Sequence, residues 1–176
     1  METKEEKAFL EAFEKYADAL FRHAFFRLSD RERAYDLAQD TYLKTWDYLR
    51  KGGGVENYKS FLYRTLRNLI IDEYRKKHPR SLDEMLEDEF AAPSIEAKLS
   101  EGSVVEAEEE LDTKALVENI RVHISGLPEH YREVLTFRFI DGFSTGEIAE
   151  TMGTTENVVS VRIHRGIAKL RQLCNI

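Results

Sequence analysis

The chain has 176 residues with a formal net charge of -7, 42% hydrophobic residues and 34% charged ones, and only 9 glycines and 3 prolines. That profile fits one or two small helix-rich domains and argues against a sheet-rich fold. A single cysteine, Cys174, excludes an intrachain disulfide, and His23, His78, His123, His130 and His164 lack metal-ligand spacing, so no metal or other cofactor is expected. No apolar run approaches the roughly 20 residues that span a bilayer, and Met1 to Lys7 is charged. No membrane insertion and a cytoplasmic location are therefore expected.

The negative total hides a segregation of charge. Ser81 to Lys114 contains twelve Asp or Glu against two Lys, a local balance of -10, so the rest of the -7 chain is net positive at +3. Residues 78–110 also carry Pro93 and Gly102 and only scattered apolar side chains, too few to offset the entropy of ordering them. They read as a flexible acidic linker between a first domain, 1–77, and a second, 111–176.

Within the first domain, Phe9, Phe13, Ala17, Leu20 and Ala24 recur on one helical face. Ser29 and Asp30 offer an N-cap for a second helix, which Lys51-Gly52-Gly53-Gly54 stops. Tyr35, Ala38, Tyr42, Thr45, Trp46 and Leu49 form its apolar stripe, whereas Asp36, Asp40, Leu43 and Asp47 line another side. An acidic stripe with a leucine in it suits a basic partner, although charged helix faces are usually only solvated. A third helix spans Tyr58 to Lys77 and ends at His78-Pro79, because the residue before proline is pushed out of the α region. On it Phe61, Arg64, Asn68, Ile71 and Arg75 share a face, Tyr63, Arg67 and Tyr74 lie beside them, and Leu62, Leu66 and Leu69 face inward. From Arg64 to Arg80 six Lys or Arg stand against Asp72 and Glu73. Rings interleaved with arginines suit single-stranded nucleic acid, since bases stack on rings while guanidinium groups hold phosphates. An ordinary basic surface over buried tyrosines is the other reading.

The second domain is expected to hold four helices, Leu111 to Ser125, Pro128 to Ile140, Ser144 to Thr151 and Thr155 to Leu173, punctuated by Gly126, Asp141-Gly142 and Gly153. Ser144-Thr145-Gly146-Glu147 is a capping box, and Ile148, Ala149 and Met152 form the buried side of the short helix it starts. Gly153 can take the left-handed turn, Thr155 can cap the next helix, and Val159, Ile163, Ile167 and Leu170 form its inward stripe. A small residue, a glycine four positions on and a β-branched residue six beyond that is the spacing of a helix-turn-helix. The outward face of the last helix carries Asn157, Ser160, Val161, Arg162, His164, Arg165 and Lys169, which can touch both phosphates and base edges in a major groove. A helical hairpin with a merely solvated basic face remains the alternative.

Several segments together resemble the extracytoplasmic-function (ECF) subfamily of bacterial sigma-70-type RNA polymerase sigma factors. Leu127-Pro128, Tyr131-Arg132-Glu133-Val134-Leu135, Ile140-Asp141-Gly142-Phe143-Ser144, Glu147-Ile148-Ala149 and Val161-Arg162-Ile163-His164-Arg165 look like its region four. Asp36-Leu37-Ala38-Gln39-Asp40-Thr41-Tyr42 with Trp46, and Phe61-Leu62-Tyr63-Arg64-Thr65-Leu66-Arg67-Asn68, look like its region two. The resemblance implies an all-α fold of a three-helix region two and a four-helix region four. It implies a non-enzymatic initiation factor whose partners are core RNA polymerase, through the clamp coiled coil and the flap, promoter DNA and an anti-sigma factor.

By residue, the same resemblance implies polymerase binding by Asp36, Gln39 and Asp40, and Leu43 and Asp47 of the same row are expected to join them. It implies melting and capture of the downstream element by Phe61, Tyr63, Arg64, Arg67, Asn68 and Arg75, with Asn68 reading an unstacked base. Upstream duplex recognition falls to Thr155, Asn157, Ser160, Val161, Arg162, His164, Arg165 and Lys169. Ser160 stands where family members often have a basic residue, and Val161 where they often have a small polar one, so the upstream sequence read is left open. In the family the linker threads channels that normally hold nucleic acid, so its acidity is expected to mimic phosphate. A stand-alone helix-turn-helix regulator acting on duplex operator DNA is the competing reading. An enzyme is disfavoured, since no phosphate loop, metal cluster or nucleophile motif is present.

Overall fold

In a computed structural model, residues 3–78 and 120–174 are described, and they are helical with no strand among them. The expected linker beyond His78, and the start of the helix expected at Leu111, fall outside the described residues. The first bundle contains α1 (Lys4–Leu28), α2 (Arg31–Arg50) and α3 (Tyr58–Lys77). Thr3 and Glu6 form a capping box at the start of α1. Ser29 and Asp30, alternatives in the sequence, divide the work. Ser29 closes α1 at φ 54, in the left-handed region, and the Asp30 side chain accepts from the Arg33 N–H at 3.0 Å to open α2. Asn57 caps α3 in the same way, through the Ser60 N–H at 3.1 Å.

Leu20, Ala24, Ala34, Leu37, Ala38, Tyr42, Leu62, Leu66 and Ile70 make the buried centre of this bundle. Thr41 and Thr45 are buried with them at no polar cost, since their hydroxyls donate to the carbonyls of Leu37 at 2.8 Å and Thr41 at 2.7 Å. Arg33 reaches from α2 to Glu73 on α3 at 2.7 Å. Two expected positions differ. Tyr35 is 56% exposed rather than part of the inward stripe, because the buried arc of α2 centres on Ala34, Leu37, Ala38, Thr41 and Thr45; its ring meets only the edge of Phe21. Phe13 is also largely exposed, one residue off the arc that buries Ala12, and packs its ring on Tyr42.

The second bundle begins with helical residues 120–125, followed by α4 (Glu129–Leu135), α5 (Thr145–Met152) and α6 (Glu156–Cys174). The uniform helix expected from Pro128 to Ile140 is not uniform. Residues Thr136–Ile140 widen into a π-helical turn that closes with the Asp141 N–H on the Thr136 carbonyl at 3.1 Å. The extra residue turns Phe137 fully inward and leaves Phe139 60% exposed.

Ser144 caps α5 through the Glu147 N–H at 3.1 Å while the Glu147 side chain accepts from the Ser144 N–H at 2.9 Å. Ser144→Ala should therefore lower stability by about 1 kcal/mol in thermal or urea unfolding. Gly153 adopts φ 67, Thr155 accepts from the Val158 N–H at 3.3 Å, and Ala149 and Val159 are buried between the two helices. Gly166 is a second close approach, since a Cβ there would sit 3.2 Å from Leu135 Cδ1 and 3.3 Å from Tyr131 Cβ. It lets α4 lie against α6.

Candidate functional sites and the interface between them

The outward side of α2 presents Asp36, Gln39, Leu43 and Asp47 to solvent, with Asp40 partly covered. Leu43, 64% exposed, sits in this acidic row with nothing apolar to cover it. Asp36 lies 3.7 Å from Arg33 and Asp47 2.5 Å from Lys51, both on the surface, where ion pairs contribute little. The row is thus a solvated, mostly acidic face with one exposed leucine in it.

On α3, Asn68, Arg64 and Arg75 are exposed and Phe61 is partly exposed, its ring 5.1 Å from that of Tyr48. Tyr63 departs from the expected exposed ring. It is buried against Phe143, with ring centres 4.8 Å apart, and its hydroxyl donates to Asp141 Oδ1 at 3.1 Å. Burial first, then the Asp141 charge, holds its phenol far above the usual range. Arg67 is also engaged, donating through Nε to Glu133 Oε1 at 2.7 Å. Both partners belong to the second bundle.

Along α6, Asn157, His164 and Lys169 are exposed, while Ser160, Val161, Arg162 and Arg165 are partly exposed. Thr155, exposed, is simultaneously the residue that caps this helix. Apart from Lys169, the expected upstream-reading residues therefore lie at the start and in the N-terminal half of a single helix, the part of a recognition helix that enters a major groove. Lys169 lies further along, its ammonium 5.7 Å from the Tyr131 ring centre.

Sequence reasoning missed a polar cluster where the two bundles meet. Arg27, fully buried on α1, donates to Glu129 through Nε at 2.7 Å and through a terminal nitrogen, and to Glu133 at 3.2 Å. Arg132 donates to the carbonyl of Arg27 at 2.8 Å and to the Tyr74 hydroxyl at 2.7 Å. His23, also fully buried, places Nδ1 2.6 Å from Asp141 Oδ2, so the carboxylate accepts from both His23 and Tyr63. At the rim Lys59 meets Glu147 at 3.2 Å and Arg64 approaches the carbonyl of Glu150 at 3.4 Å.

The electrostatics of this cluster are uneven. Burial opposes charge on Glu133, but Arg27 and Arg67 outweigh it and leave its pKa below the ordinary value of 4.5. Burial dominates at Glu129, outweighing the charges of Arg27 and Arg132, and the neighbouring Glu133 adds to it, so its pKa is raised. Arg27 is itself raised: burial works against its charge, and the carboxylates of Glu129 and Glu133 overcome that. One faint signal was present in the chain. Arg27 stands four residues beyond His23 on the helix face that buries Leu20 and Ala24, and polar groups on a core face require partners.

No group of three or more His, Cys, Asp or Glu able to hold a metal occurs among the described residues, and no described helix is long and apolar enough to cross a membrane. The described residues thus form two helical bundles, one with a helix-turn-helix and the other with an acidic and a basic face. Residues 12–80 match the family Sigma-70 region 2 and residues 118–170 match Sigma-70, region 4. RNA polymerase sigma factor SigZ of Bacillus subtilis (strain 168) is 33% identical over 147 residues, covering 84% of this chain and 76% of that protein. ECF RNA polymerase sigma factor SigW of the same organism is 29% identical over 177 residues, covering 96% and 89%. Among solved structures, the sigma factor RpoE from Bartonella quintana, determined with the anti-sigma factor NepR, has a TM-score of 0.66 at 22% identity over 97% of this chain and 98% of that one. CnrH, determined with the cytosolic domain of CnrY, gives 0.66 at 21% over 98% and 90%. These two likenesses establish the fold.

The chain belongs to the ECF subfamily of sigma-70-type RNA polymerase sigma factors. It is a promoter-specific transcription initiation factor that works with RNA polymerase, and the stand-alone regulator is not favoured.

Proposed function

We propose that the three recognition tasks of initiation are divided among three helices. Residues 1–77 dock on core RNA polymerase through Asp36, Gln39, Asp40, Leu43 and Asp47 of α2, whose acidic row suits the clamp coiled coil. They also open the downstream element and hold one strand through Phe61, Tyr63, Arg64, Arg67, Asn68 and Arg75 of α3. Residues 111–176 grip upstream duplex through α6 and contact the flap, and residues 78–110 tether the two readers. The observation that supports this division best is chemical segregation: acid and a leucine on α2, arginines with rings and an exposed amide on α3, a mixed polar side on a helix-turn-helix. The protein supplies recognition only and has no catalytic chemistry of its own.

Its place of work is the cytoplasm, and an anti-sigma protein is a partner, as it is for RpoE from Bartonella quintana, whose structure was determined with the anti-sigma factor NepR. Transcription in vitro with core polymerase on a promoter library tests the whole reading. A defined start site that depends on this chain is the expected result, and tight operator binding without polymerase would instead favour the stand-alone regulator.

Two substitutions separate the tasks. Asn68→Ala should slow promoter opening, read with a fluorescent base near the start site, while core binding is kept, because a pocket for an unstacked base offsets a few kcal/mol of unstacking. Arg165→Ala should weaken binding to the preferred upstream element by about 1–3 kcal/mol if the guanidinium reads a base. Equal weakening on all sequences in a competition assay would assign it to phosphate alone.

A further inference from the structure

Among the described residues, the apolar side chains of α6 that pack on the core are Val159, fully buried, and Ile163, Ile167 and Leu170, partly buried against it. Val161 is not one of them, and it is partly exposed. At 3.6 residues per turn it stands about 200° around the helix from Val159, on the side away from the core. Asn157 and His164, both exposed, and the partly exposed Arg165 lie within one turn of it on that side. Val158, also partly exposed, is nearer the core edge, about 100° from Val159. A lone valine on a solvated surface needs no explanation. Val161, however, is central to the side of a helix-turn-helix second helix that meets base edges in a major groove.

That groove offers one apolar group, the C5-methyl of thymine, among edges that otherwise donate or accept hydrogen bonds. A valine side chain does neither, so against the polar edge of another base it would displace water and return no partner. Its branched side chain also keeps one strongly preferred rotamer in a helix, so little freedom is lost when a contact forms. We propose that Val161 reads the C5-methyl of a thymine in the upstream element and thereby sets the preference for thymine at one position. The proposal rests on the reading of α6 as the helix that grips upstream duplex.

The test uses the full chain assembled with core polymerase, and as probe the duplex promoter selected from the library, with each upstream thymine replaced in turn by deoxyuridine. Deoxyuridine keeps the pairing and every donor and acceptor of thymine and lacks only the C5-methyl. At one position the replacement should weaken binding about fourfold in competition with the unmodified promoter, the size expected for one methyl group returned to water. In Val161→Ser thymine and deoxyuridine should bind alike at that position, with the effects of the other replacements unchanged. Val158→Ser should keep the fourfold difference.

An upstream element in which no thymine methyl matters overturns the proposal, as does survival of the difference in Val161→Ser or its equal loss in Val158→Ser. In each of those cases α6 remains the reader as long as Arg165→Ala still weakens binding to the upstream element. If binding responds neither to the upstream sequence nor to any of these three substitutions, the α6 reading falls and the proposal with it.

Discussion

Glu133→Ala is expected to separate the two bundles while each keeps its helices. In the closed form Glu133 is buried and answers two guanidinium groups, Arg27 at 3.2 Å and Arg67 at 2.7 Å. Removing it leaves Arg67 without its acceptor from the second bundle and leaves Arg27 to Glu129, whose own carboxyl burial already drives toward protonation. Breaking a buried pair by deleting one partner costs about 3–5 kcal/mol, and since Arg27 retains Glu129 the lower end applies. About 3 kcal/mol corresponds to roughly two orders of magnitude in the open-to-closed ratio. Small-angle scattering or hydrodynamic radius should show an expanded particle, with far-ultraviolet circular dichroism unchanged because no helix depends on Glu133. A compact particle indistinguishable from the parent would mean that the apolar contacts alone hold the bundles together.

Phe137→Ala should act differently, by loosening the second bundle itself as well as the contact. The side chain is fully buried at the first widened turn after α4, with ring centres 5.1 Å from Phe143, 4.6 Å from His23 and 6.1 Å from Tyr63. Truncating a buried phenylalanine typically costs about 3–5 kcal/mol, part of it transfer free energy and part the void left behind. The neighbours that could collapse into that void are constrained. Tyr63 and His23 are tied to Asp141, and Phe143 is tied by its N–H to the Phe137 carbonyl at 2.9 Å. A large fraction of that cost should therefore survive relaxation. Urea unfolding followed by far-ultraviolet circular dichroism measures it. Because Phe137 also touches α1 and α3 residues, the same variant should open more readily than Ser144→Ala, which affects only the start of α5.

The site residues were legible to unequal degrees. Asp36, Leu43 and Asp47 could be read as an outward row because a 3.6-residue period reports which side of a helix a residue occupies, and that side is settled by the apolar arc opposite. Asn157, His164 and Lys169 followed for the same reason. Tyr63 and Arg67 did not follow. They sit on a face that is outward for the first bundle but inward for the assembled chain, and periodicity within one helix carries no information about a neighbour more than 60 residues away. The π-helical turn was equally hidden, since Thr136–Ile140 carries no glycine, proline or other local signal that sets it apart from the α-helix before it.

Local sequence was sufficient for the helices, their caps and the helix-turn-helix, because capping boxes, left-handed glycine and apolar periodicity act over one or two turns and need no distant partner. The pairing of Arg27 with Glu129 and Glu133, of His23 and Tyr63 with Asp141, and of Arg67 with Glu133 was decided only when the two bundles came together. Such pairs join groups far apart along the chain, and a charged side chain gives the same sequence signal whether water or a distant carboxylate answers it.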